Sequence, residues 1–134
     1  MAAVKSAEDL RELFASEPAG IIAAYLFGSV ARGTAHAGSD VDVAVLFAEA
    51  PPGTIEGLPL DLERRIQERV GRPAQVVVLN VAPAGLVHRV LRDGVLLLDR
   101  APGTRIRFEV RARNAYFDLQ PIVSRYRRPS VPAS

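Results

Sequence analysis

Apolar residues recur at helical spacing at Leu10, Leu13 and Phe14, and Ser6 stands where an N-cap hydroxyl belongs, which predicts a first helix over Ala7 to Ser16. Ile21 to Phe27 is then an unbroken apolar run of strand length, stopped by Gly28, and Ser29 to Gly33 reads as a helical turn entering a loop rich in Gly, Ala and Thr. A second strand is predicted over Val41 to Phe47, ahead of the turn signal Pro51-Pro52-Gly53. Leu58, Leu62, Ile66 and Val70 stand four apart, the mark of an amphipathic helix, and Gly71 follows as its C-terminal stop. Ala74 to Leu79 is a third strand, Pro83 to Arg92 a short helix and Gly94 to Leu98 a fourth strand. Thr104 to Leu119 is a long last helix, which Pro121 is expected to end or kink.

This alternation predicts an α/β fold, a sheet of about four strands flanked by helices. The connection between the first two strands is about a dozen residues long and carries only one helical turn. A parallel pair needs a fuller crossover, so these two strands are open to antiparallel pairing in a mixed sheet.

Composition narrows the class. Half the residues are apolar (49%) and 24% are charged, the balance of a soluble globular protein. The 134 residues suit one domain over 1–128, with a Pro/Ser-rich tail at 129–134 expected to lack order. No apolar run reaches the roughly 18 residues that cross a bilayer, and no signal-peptide pattern opens the chain. Cysteine is absent, which excludes a disulfide framework and a thiolate metal site. A cytoplasmic protein without a membrane partner is the expectation. The net charge is only +2, and Lys5 is the single lysine. Arginines crowd the stretch from Arg100 to Arg128, forming either a solvated face or a surface for an acidic partner or RNA. Direct DNA binding is not expected.

The candidate chemistry lies between the first two strands, where Gly28-Ser29 is followed by ten residues and then Asp40-Val41-Asp42. Glycine lets the backbone turn sharply and lets a phosphate come close. Ser29 opens a helical turn, so its hydroxyl and the free amides behind it can hold a polyphosphate. Asp40 and Asp42 are two apart at the start of a strand and project to one face. Hard carboxylates there suit Mg²⁺, which also takes phosphate oxygens from a substrate. Two such ions lower the pKa of an attacking hydroxyl and stabilise a pyrophosphate leaving group. Taken singly, a Gly-Ser is usually a helix cap and an Asp-x-Asp a solvated turn. The case rests on their conjunction, since two adjacent carboxylates repel each other without a cation.

The stretch Phe27-Gly28-Ser29-Val30-Ala31-Arg32-Gly33, followed by Ser39-Asp40-Val41-Asp42, resembles the G-S-x10-D-x-D signature of the DNA polymerase β-like nucleotidyltransferases. The Ala-Arg-Gly variant and the short length resemble the minimal nucleotidyltransferase branch. The similarity extends through Val77-Val78-Leu79-Asn80, Val90-Leu91-Arg92-Asp93-Gly94 and Tyr116-Phe117-Asp118-Leu119, nearly the whole chain. The resemblance implies the polymerase β-like fold and an Mg²⁺-dependent transfer of AMP from ATP. In that branch the acceptor is a tyrosine of a HEPN-domain ribonuclease toxin, which an MntA-type antitoxin silences. By the same resemblance Gly28, Ser29, Arg32 and Ser39 would bind the nucleotide, and Asp40 and Asp42 the metals and the catalytic role. Arg32 could instead pair with a carboxylate.

One position departs from the family. The third carboxylate of the superfamily, a metal ligand and base, would fall near Gln75, whose neutral amide cannot accept a proton. Catalysis would then manage with two carboxylates, or recruit another acid such as Asp61 or Glu63, or be lost. Loss of catalysis would leave a binding module that neutralises a toxin by contact. Transfer of a nucleotide to a small molecule is a third reading, but such enzymes usually carry an additional substrate domain. His36 and His88 are the only histidines and give no zinc site; His36 is expected to be solvated in the loop, and His88 to lie away from any ligand cluster. Tyr25, Tyr116 and Tyr126 suit core packing or a partner surface.

Overall fold

A computed structural model describes residues 2–16, 20–35, 39–49 and 57–127. Its elements are α1 (Ala2–Ala15), β1 (Ile21–Phe27), α2 (Gly28–Arg32), β2 (Val41–Phe47), α3 (Gly57–Val70), β3 (Ala74–Val78), α4 (Ala84–Asp93), β4 (Val95–Asp99) and α5 (Pro102–Arg127). The four strands form one sheet in the order β3-β2-β1-β4. β1 pairs antiparallel with both β2 and β4, whereas β2 and β3 run parallel, so the sheet is mixed.

Strand alternation sorts the side chains onto two faces. Val41, Val43 and Val45 of β2 are fully buried with Leu10 and Phe14 of α1 and Leu62 and Ile66 of α3. On the other face, Ala44 and Leu46 pack with Tyr25 of β1 and with Val87 and Val90 of α4, and Phe108 and Ala112 of α5 cover that layer. Both faces of the central strands are covered, which explains why β1 and β2 read as continuous apolar runs rather than alternating ones.

Polar side chains close the margins. The Asn80 amide accepts from the Phe47 N–H at 2.9 Å and donates to the Phe47 carbonyl at 3.0 Å, continuing the sheet pattern from a short 3₁₀ turn after β3. Arg100 donates to the carbonyls of Phe14 and Ile21, capping α1 against the start of β1. Arg105 of α5 pairs with Asp99 at 3.1 Å and with Glu109 at 2.8 Å, and Glu109 accepts a 2.7 Å bond from the buried Tyr25 hydroxyl. Part of the C-terminal basic character is therefore spent inside the fold, holding α5 to β1 and β4.

Three element boundaries correct the sequence reading. α1 begins at Ala2, so Ser6 lies inside the helix and is no cap; Ala2-Ala3-Val4-Lys5 contains no breaker to delay the start. α5 begins at Pro102, where proline's missing N–H costs nothing at the first helical position. The same helix continues through Pro121 to Arg127, so that proline does not end it. The tail at 129–134 lies outside the described residues.

Candidate active site

The end of β1 and the start of β2 create the site. Phe27 and Asp42 are register partners, so the chain leaving β1 turns directly over the Asp42 carboxylate. Gly28 makes that turn with φ +77°, a left-handed conformation that side chains disfavour. A Cβ at this position would lie 3.0 Å from Cγ of Asp42 and closer still to its oxygen. α2 follows at once, and Gly33, again with positive φ, closes it with its N–H on the Ser29 and Val30 carbonyls.

A cavity of about 440 Å³ opens here, in the range of small-ligand sites. One wall is Ser29 and Arg32 of α2; the facing wall is Leu86, Arg89 and Asp93 of α4, a single helix stripe at i, i+3 and i+7. The floor is Asp42 with Gln75 and Val77 of β3, and Phe27 and Gly28 complete the rim. Asp40 is exposed, and neither Asp40 nor Ser39 is among the residues that line the cavity; Ser39 has an interaction of its own.

Electrostatics single out Asp42. Burial raises its pKa above the ordinary carboxylate value, repulsion from Asp40 adds to this, and Arg32 and Arg89 oppose it. Its carboxylate accepts no hydrogen bond from a described residue. A carboxylate so placed, with a second one two residues away, presents the hard oxygen donors that a divalent cation takes. No group of three His, Cys, Asp or Glu able to hold a metal occurs among the described residues. Asp93 is held differently: its hydrogen bonds from Arg92, at 2.9 and 3.0 Å, keep its pKa below the usual value.

Gln75 is the register partner of Asp42 on the parallel strand β3, so the amide stands beside the carboxylate. Neither alternative acid approaches. Asp61 pairs with Arg64 at 2.8 Å and Arg65 at 3.0 Å, and Glu63 accepts the Val76 N–H at 2.9 Å; both sit on α3, across the sheet. Arg89, Asp93 and Leu86 were not assigned from the sequence, although the α4 stripe carries their spacing; nothing local says which side of that helix meets β2. His88 stacks on Tyr116 with ring centroids 3.9 Å apart, an aromatic contact between α4 and α5. His36 lies outside the described residues, as does the side chain of Tyr126.

The family model for polymerase beta nucleotidyltransferases matches residues 8–102. The chain belongs to this family. No curated protein matches it. Among solved structures, this nucleotidyltransferase is similar to a chain of a toxin–antitoxin crystal structure with AMP-PNP, at 25% identity and TM-score 0.74, covering 90% of this chain and 92% of the other. It shares the fold of a chain in the toxin–antitoxin MntA-HepT, at 21% identity, TM-score 0.69 and 92% coverage of both chains. A third similar chain comes from a complex of tri-AMPylated HEPN toxin and MNT antitoxin of Shewanella oneidensis, at 21% identity, TM-score 0.70 and 92% coverage of both.

Proposed function

We propose that this nucleotidyltransferase moves AMP from ATP to a protein hydroxyl, a tyrosine of a HEPN-domain toxin, and so acts as the antitoxin of that partner. The observation that carries the reading is the convergence of Gly28, Ser29, Arg32 and Asp42 on one cavity. The similarity to chains from toxin–antitoxin structures, one with AMP-PNP and one with an AMPylated toxin, supports the choice of nucleotide and partner.

In the transfer, the acceptor oxygen bonds to the α-phosphorus, the bond to the bridging oxygen breaks, pyrophosphate leaves and the hydroxyl proton passes to solvent. Gly28 lets phosphate approach without a side chain in the way, and Ser29 offers its hydroxyl at the start of α2. Mg²⁺ held by Asp40 and Asp42 would supply charge neutralisation for the phosphates. Arg32 adds a fixed positive charge on the same wall. The nearest competing reading is a binding module that silences its toxin by contact, favoured by Gln75 beside Asp42 where a base would serve.

The deciding assay is incorporation of AMP from α-labelled ATP into a co-purified HEPN partner with Mg²⁺ present, with Asp42→Asn as control. Label on the partner, lost in the control, is the expected result. A silenced but unlabelled partner gives the function to the binding module.

A further inference from the structure

We propose that Arg89 is a second cationic anchor for the nucleotide's polyphosphate, working from the α4 wall opposite Arg32; this deepens the nucleotide-transfer reading and rests on it. Arg89 lines the cavity on the same stripe of α4 as Leu86 and Asp93. Its side chain is exposed and has no hydrogen-bond or ion-pair partner among the described residues. Asp93, one turn further along α4, is by contrast paired with Arg92 through two hydrogen bonds. Arg89 beside it makes no such pair.

The charges of the site then sum simply. A divalent cation held by Asp40 and Asp42 would balance their charge, and Arg92 balances Asp93. What remains is Arg32 on one wall and Arg89 on the other, two positive charges facing a space of about 440 Å³. A triphosphate is the complement of that arrangement, since each guanidinium presents a planar fork to two phosphate oxygens. Arg89 lines the same cavity as Asp42, and its positive charge opposes the rise of the Asp42 pKa.

Arg89 is exposed and makes no hydrogen bond or ion pair that ties α4 to another described residue. α4 is fixed by Val87 and Val90, both buried against the sheet on the helix face adjacent to the Arg89 stripe. Removing the guanidinium therefore leaves the packing intact and isolates its effect on the ligand.

Calorimetry with Mg²⁺ and AMP-PNP, alongside adenosine as a ligand without phosphate, tests the proposal. Arg89→Ala is expected to weaken AMP-PNP binding by roughly 10- to 100-fold, the worth of a charge-assisted hydrogen bond, and to leave adenosine unchanged. Arg89→Lys is expected to recover part of the loss, and Arg111→Ala, on α5 outside this cavity, to match the wild type. Unchanged AMP-PNP affinity in Arg89→Ala overturns the proposal, as does an equal loss for adenosine, which would make Arg89 a packing element. If wild type binds no AMP-PNP, the nucleotide-transfer reading itself falls, and Arg89 as a phosphate anchor falls with it.

Discussion

Asp42 and Gln75 are register partners across the parallel β2–β3 pair, so a carboxylate and a carboxamide share the floor of the candidate site. The amide keeps the geometry of an acid but neither accepts a proton nor binds Mg²⁺ strongly.

Gln75→Asp is accordingly expected to raise the rate of AMP transfer. A well-placed general base contributes on the order of 10²- to 10⁴-fold, so even imperfect placement is visible in a labelled-AMP assay. A rate that stays level or drops, in a wild type that already transfers AMP, would mean another group takes the proton.

Gly28→Ala combines two penalties. The left-handed backbone at φ +77° costs a non-glycine residue about 1–2 kcal/mol. The new methyl also falls on the Asp42 carboxylate, which must move out of its place. Urea unfolding is expected to show at least that loss of stability, and calorimetry a loss of Mg²⁺-dependent nucleotide binding. A variant with wild-type nucleotide affinity would remove Gly28 from the site.

Asp42→Asn separates function from stability. Burial and Asp40 raise the pKa of Asp42, so the folded state takes up this proton at a higher pH than the unfolded chain. Stability from this group therefore falls as pH rises from the ordinary carboxylate value of 3.8 through the raised one, and the penalty persists at neutral pH. The Asn variant is expected to melt at or above the wild-type temperature at pH 7, with its advantage shrinking towards pH 4. Melting curves across that pH range check this, and a variant clearly less stable at pH 7 contradicts it.

Tyr25→Phe probes the clamp between β1 and α5. It deletes the 2.7 Å hydrogen bond to Glu109, whose side chain is only 13% exposed. The loss is expected to be about 1–2 kcal/mol in denaturant unfolding, with nucleotide affinity unchanged because Tyr25 lies outside the cavity lining. The Tyr25 hydroxyl also has its pKa pushed up by burial and by Glu109, so ultraviolet titration is expected to find one tyrosine that resists ionisation until the protein unfolds.

The strands were legible because their signals are local. Ile21–Phe27 and Val41–Phe47 are apolar runs with sharp punctuation, and their bounds follow from Gly28 at one end and the aspartates at the other. The short link between them also led to the antiparallel pair. The meeting of Gly28, Ser29 and Asp42 at one cavity was readable from their order and spacing, whereas Asp40 and Ser39, expected with them, do not line it. The α4 wall was not readable in this way. Leu86, Arg89 and Asp93 face the cavity only because Val87 and Val90 dock on the sheet, and that docking depends on partners far away in sequence. Helix ends were the weakest point, because Ser6 and Pro121 carry boundary signals that flanking helix formers override.

The turn over Asp42 has a consequence for how sequences of this kind can diverge. With an aspartate at 42, position 28 has no room for a side chain, and with a side chain at 28 the aspartate cannot keep its place. Selection therefore acts on the two positions as one trait. A lineage that abandons the carboxylate is released from the steric bar at 28, while the backbone strain remains. Loss of the glycine is then expected to follow loss of Asp42 and seldom to precede it, so the state of position 28 records whether the site is still in use.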